Sequence, residues 1–199
     1  IKFGQILSTR PDVVGDELAV QLRVLQDKLP PFPTDVAKTS VEKELDLPVD
    51  QLFSEFSDAV AAASIAQVHK ARLRDTGDLV AVKVLRPGVS RRFQRALESY
   101  YLVARLAERF HPPSRRLRPV AVVDTLAQSV AIEMDFRLEA AALSEMAENT
   151  AEDPGFRVPE VDWIRTAKGV LTMEWIDGRK MSDIEGLSED GHDLEALGA

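Results

Sequence analysis

The sequence predicts an α+β fold, a small antiparallel sheet flanked by helices, and three observations carry that prediction. The first 29 residues hold Leu18, Leu22, Leu25 and Leu29 at helical spacing. Residues 53–85 change to a strand-like period, and residues 157–163 and 169–176 read as two further strands. Between these groups, from about Ser90 to Asn149, the helical period returns. The sheet is therefore expected to have five strands, with one helical stretch before it and another inserted into it.

Taken in order, Lys2-Phe3-Gly4-Gln5-Ile6-Leu7 opens a short helix. Gly4 costs that helix about 1 kcal/mol against alanine, which points to close approach of another backbone. Pro30-Pro31 stops the second helix, and Pro30–Pro33 is a rigid connector. Thr34 can cap a third helix whose apolar positions are Val41 and Leu45, ended by Pro48. Strands are expected over about 54–60, 65–74 and 79–85, with Asp75-Thr76-Gly77-Asp78 closing a hairpin between the last two. After Pro87-Gly88 a long helix begins near Ser90 and ends at His111-Pro112-Pro113, with Phe93, Leu97, Tyr100, Tyr101 and Ala104 as its apolar face. Its other face carries Arg91, Arg92, Arg95, Arg105 and Arg109, a pattern of a solvated face first and of a membrane or acidic-partner surface second. From Pro119 to Asn149 the helical positions are Val123, Leu126 and Val130, then Phe136, Leu143 and Met146.

Composition narrows the function classes. The chain has 199 residues, 45% of them hydrophobic, enough to bury a core in one or two small domains. It has no cysteine, which excludes disulfides, thiolate metal sites and a cysteine nucleophile. A net charge of −8 argues against nucleic acid as the main partner. No apolar run approaches the ~20 residues of a membrane span and no signal-peptide pattern opens the chain, so a cytoplasmic location is expected. Ile1 in place of a methionine, and the end at Ala199, read as a piece of a longer protein.

The chemistry concentrates on Asp78-Leu79-Val80-Ala81-Val82-Lys83-Val84-Leu85. An ammonium within so apolar a strand carries a desolvation cost unless an anion meets it. A compact loop at Ala61-Ala62-Ala63-Ser64, a strand, a turn and a strand bearing a lysine make the phosphate-gripping half of a protein-kinase small lobe. Ala-Val-Lys83 alone is also a surface-strand pattern, and the partner glutamate decides between the two. The run Glu133–Ala142 offers candidates, of which Glu139 is chosen because it lies three or four positions from Asp135, Phe136 and Leu143. The competing reading is a solvated helix carboxylate.

These residues resemble the UbiB family of atypical kinase-like proteins linked to ubiquinone biosynthesis. The likeness rests on Lys2-Phe3-Gly4-Gln5, Ala61–Ser64 with Gln67-Val68-His69, Val82-Lys83, Glu133-Met134-Asp135 with Arg137-Leu138-Glu139-Ala140, and Val170–Gly178, in that order. It implies a kinase-like small lobe over 53–180 with a helical insert at about 90–133, which explains the long gap between Lys83 and Glu139. It further implies an N-terminal extension over 1–52 whose Lys2, Gly4 and Gln5 lie over the active site, Lys2 pairing with Glu133 and Asp135 in a regulatory contact. Lys83 and Glu139 are then the catalytic ion pair. Ala61, Ala62, Ala63, Ser64 and Lys83 hold phosphates, and the backbone of Glu174, Trp175 and Ile176 meets adenine.

One departure from that family limits the reading. No catalytic-loop aspartate or metal-binding Asp-Phe-Gly follows Gly178, and the surroundings of His192-Asp193 do not match a catalytic loop. Residues 181–199 would only begin a large lobe. The expected cofactors are ATP and Mg²⁺, the metal's ligands belonging to that absent lobe. The expected partners are a nucleotide and, by resemblance, a peripheral lipid surface serving quinone metabolism. The alternatives are a catalytically silent nucleotide-sensing or scaffolding module, and a helical interaction protein in which the lysine strand is coincidental. His69 and His111 are expected at a strand edge and a helix end.

Overall fold

The computed structural model describes residues 30–179 and 183–192. The expected helices before Pro30, with Lys2, Gly4 and Gln5, lie outside them. Two helices, α1 (Thr34–Leu45) and α2 (Val49–Leu52), lead into β1 (Phe53–Ala62), β2 (Ala66–Leu73) and β3 (Leu79–Leu85). A helical hairpin follows: α3 (Val89–Phe110), a 3-10 segment (Pro112–Leu117) and α4 (Pro119–Glu133). Then come α5 (Phe136–Asn149), β4 (Val170–Glu174) and α6 (Ile184–Glu189).

The sheet is antiparallel in the order β1-β2-β3-β4. Successive strand residues face opposite ways, so one run of apolar residues serves two cores. Ala71, Leu73, Val80, Val82, Val84 and Val170 form the outer face, covered by Ala37 and Val41 of α1 and by Val49, Leu52 and Phe53. Ala66 and Leu171 form the inner face and pack against Phe136 and Ala140 of α5. Burial on both faces is why β3 reads as nearly continuous Val, Ala and Leu rather than as an alternation.

Local chemistry accounts for the connections. The β2–β3 turn places Gly77 at φ 81°, and the Leu73 N–H donates to Asp78 O at 2.9 Å. Gly88, at φ 71°, turns the chain from β3 into α3. At Gly169 a Cβ would sit 2.9 Å from the Glu44 carboxyl carbon, and the glycine N–H instead donates to Glu44 Oε2 at 2.9 Å, tying α1 to the start of β4.

Several expectations are corrected. Residues 157–163 do not form a fifth strand: the described sheet has four, and this segment contributes one bridge, Val161 to Met173, flanked by bonds from Asp162 N to Thr172 O and from Glu174 N to Glu160 O. Pro159 removes a ladder donor there, and the Asp162 carboxylate turns the chain away by accepting from the Arg165 N–H and guanidinium. Thr34 does not cap α1; Pro33 precedes the helix and the Thr34 hydroxyl donates to Asp58 at 2.6 Å. His69 is no edge residue, because β2 is an inner strand and the imidazole is wholly buried. Tyr100 and Met146 are exposed rather than packed.

Candidate functional site

Alternation along the strands brings Val68, Ala81, Lys83, Leu171 and Met173 to the inner face, with Lys83 opposite Val68 on one side and Leu171 on the other. Across that face lies α5. Its N-cap is Asp135, whose carboxylate accepts from the Arg137 N–H and is gripped by the Arg137 guanidinium at 2.8 and 2.6 Å. The arginine holds that carboxyl below its usual range. This start fixes the first turn of the helix, where Phe136 is buried and Glu139, three residues on, projects from the same side.

The two elements meet at Lys83. Its Nζ lies 2.7 Å from both Glu139 oxygens and 4.8 Å from the centre of the Phe136 ring. The side chains retain 24% and 41% exposure, so solvent screens the pair and it orients the ammonium more than it stabilises the fold. An ammonium has three donors, and one carboxylate together with a ring face leaves capacity for a further anion. The expected Lys83–Glu139 contact is thus present as geometry.

The other expected site residues are spread around this centre. Ala61 and Ala62 end β1, paired with Val68 and Gln67, so the open turn is Ala63-Ser64-Ile65, closed by the Ala63 N–H donating to Ala66 O at 2.8 Å. At the far end of β4, the N–H groups of Glu174 and Trp175 donate to Glu160 O and Leu79 O. The Glu174 carboxylate pairs with Arg157, and the Trp175 ring lies 4.5 Å from Lys70 Nζ. The Ile176 N–H donates to no described residue. Glu133 closes α4, and its expected partner Lys2 lies outside the described residues.

Some neighbours of the site escape a motif search. Val68 and Ala81 join it only through strand register, although counting back two residues from Lys83 would reach Ala81. Arg86 follows β3 and carries no motif signal: its Nε donates to Ala63 O at 3.3 Å and its Nη2 to Pro30 O at 2.9 Å, with the guanidinium 5.4 Å from the Phe32 ring centre. Gln67 was visible as part of Gln67-Val68-His69, but its work lies on the outer face. Its Oε1 accepts from Phe32 N at 2.9 Å, and its Nε2 donates to Phe32 O at 3.1 Å and to His69 Nε2 at 2.9 Å.

Known proteins resemble this chain in sequence and in fold. A family model described as the ABC1 atypical kinase-like domain matches residues 24–199. The chain belongs to this family. It is 43% identical over 198 residues to a probable protein kinase UbiB of Marinobacter nauticus, covering 99% of this chain and 36% of that protein. Its counterpart in Pseudomonas paraeruginosa is 41% identical, with 99% and 37% covered. Among solved structures, the Rv3197–erythromycin complex from Mycobacterium tuberculosis matches with a TM-score of 0.68 and 34% identity, over 91% of this chain and 45% of that one. The chain therefore spans little more than a third of the curated relatives it matches, and its fold is the kinase-like small lobe of an ABC1 protein. No helix among the described residues is long and apolar enough to cross a membrane.

Proposed function

We propose that this lobe binds the phosphates of ATP and serves an atypical kinase or ATPase. The single observation that carries the reading is the two-oxygen contact of Glu139 on Lys83, which holds a partly exposed ammonium on the inner face of the sheet. Lys83 would meet the α/β-phosphates, the Ala63–Ile65 turn would lie over them, and the Ile176 N–H would meet the base. ATP would arrive with Mg²⁺, whose ligands this reading assigns to the portion of the relatives that the chain does not span. A role in lipid-quinone metabolism rests on the family alone.

The decisive measurement is the ATP dissociation constant of the full-length protein with and without Lys83→Ala. A charge-assisted contact contributes roughly 1.5–3 kcal/mol, so the variant should bind about 10- to 150-fold more weakly. Unchanged affinity would remove Lys83 from the site and end this reading. Turnover assayed alongside separates an enzyme from a silent sensing module: binding without phosphate release in the wild type favours the sensor.

A lipid contact is proposed through the outer face of α3. Leu102, Val103, Leu106 and Phe110 are exposed there, with Leu117 on the segment that follows. Residues 89–124 carry eight arginines against three carboxylates in a chain of net charge −8. Apolar side chains interleaved with arginine suit an anionic bilayer surface.

A further inference from the structure

The backbone leading into α1 and the turn over the proposed phosphate site are held by one side chain. Pro30–Pro33 runs along the outer side of the sheet, and two residues fasten it there. Gln67, 1% exposed, takes both the N–H and the carbonyl of Phe32 in its amide. Arg86 takes the carbonyl of Pro30 and places its guanidinium on the Phe32 ring. The same guanidinium donates to Ala63 O, while the Arg86 backbone N–H donates to Ile65 O at 2.7 Å. Among the described residues Arg86 forms no ion pair, so its hydrogen bonds go to carbonyls of two segments that lie more than 30 residues apart in sequence. It stands three residues beyond Lys83 at the end of β3, where the strand's own pairing fixes its origin.

We propose that Arg86 is a positioning residue that couples the Pro30–Pro33 backbone to the Ala63–Ile65 turn, so that nucleotide in the site orders both segments together. The proposal rests on the nucleotide reading above. A planar guanidinium can bridge two carbonyls and stack on a ring at once, whereas a lysine ammonium supplies charge without that fork. A change at either end of such a bridge alters the free energy at the other by an equal amount, so the contact must appear in nucleotide affinity as well as in the protection of the connector.

The test is hydrogen exchange and nucleotide binding on the full-length protein, comparing wild type with Arg86→Lys, Arg86→Gln and Phe32→Leu. With ATP bound, wild type should gain amide protection both over residues 61–68 and over residues 30–37. Arg86→Gln and Arg86→Lys should keep the first gain, lose the second, and bind ATP roughly fivefold or more weakly. Phe32→Leu removes the ring beneath the guanidinium while keeping an apolar side chain against the outer core, and should give an intermediate loss, which keeps the test sound if an Arg86 variant folds poorly. Protection of residues 30–37 that survives in Arg86→Gln, or full rescue by lysine, overturns the coupling while leaving nucleotide binding intact. A wild-type protein that is folded and binds no ATP overturns the nucleotide reading itself, and the coupling with it.

Discussion

His69 shows how much a single buried side chain fixes here. Its Nδ1 lies 2.9 Å from the Ser57 carbonyl, which can only accept, so the ring proton sits on Nδ1 and Nε2 accepts from Gln67. The Phe56 ring lies 4.7 Å away, and burial pushes the imidazole pKa below its ordinary value, with Asp58 raising it and Lys38 lowering it to smaller extents. A protonated ring would point an N–H at the Gln67 amide nitrogen, and the amide cannot flip without giving up both bonds to Phe32. Because the folded pKa lies below the unfolded value near 6.5, the folded state binds fewer protons. The stability from neutral His69 is therefore complete above that pH and declines as pH falls through it towards the folded pKa. Urea melts between pH 7 and pH 5 should show this loss in wild type and a flatter profile in His69→Gln; an equal slope in both would mean that His69 titrates in the folded protein as it does in the unfolded chain.

At the level of elements, what the sequence disclosed follows physical cause. β2, β3 and their hairpin were legible because turn chemistry at Asp75–Asp78 and β-branched runs act locally. Glu139 was legible because Asp135, Phe136 and Leu143 surround it at helical spacing. The missing strand at 157–163 was not, since its fate turns on Pro159 and on the carboxylate of Asp162 reaching Arg165. The clamp of Gln67 on Phe32 crosses 35 residues, and no local pattern announces such a contact. For α3 the residue pattern predicts an apolar face and a basic face, and the structure adds the exposed Leu102, Val103, Leu106 and Phe110. If this face meets lipid, the full-length protein should float with phosphatidylcholine vesicles containing phosphatidylglycerol more than with phosphatidylcholine alone. Leu106→Ser with Phe110→Ser should reduce that flotation, because each exposed apolar side chain contributes by burial. Equal flotation of wild type and the double variant would take α3 out of any membrane contact.

Across the whole molecule, one sheet separates two cores with different duties. The outer core, with Leu52 4% exposed, fastens α1 and α2 to the sheet. The inner core, with Leu171 fully buried, fastens α5 and with it the Lys83–Glu139 contact. Leu171 is the direct strand neighbour of Lys83 and packs against Phe136, the residue that also faces the ammonium. Equal truncations on the two sides should therefore have equal effects on stability and unequal effects on the site. Leu171→Ala and Leu52→Ala should each cost about 2–5 kcal/mol, since each leaves a comparable cavity. Only Leu171→Ala lets α5 settle towards the sheet and moves Glu139 relative to Lys83, so only it should weaken ATP binding several-fold in protein that is still folded. The comparison is made by thermal unfolding and by ATP titration of the two variants below their melting temperatures. If Leu52→Ala weakens ATP binding as much as Leu171→Ala, the two cores are one mechanical unit and the sheet does not insulate the site from the helices behind it.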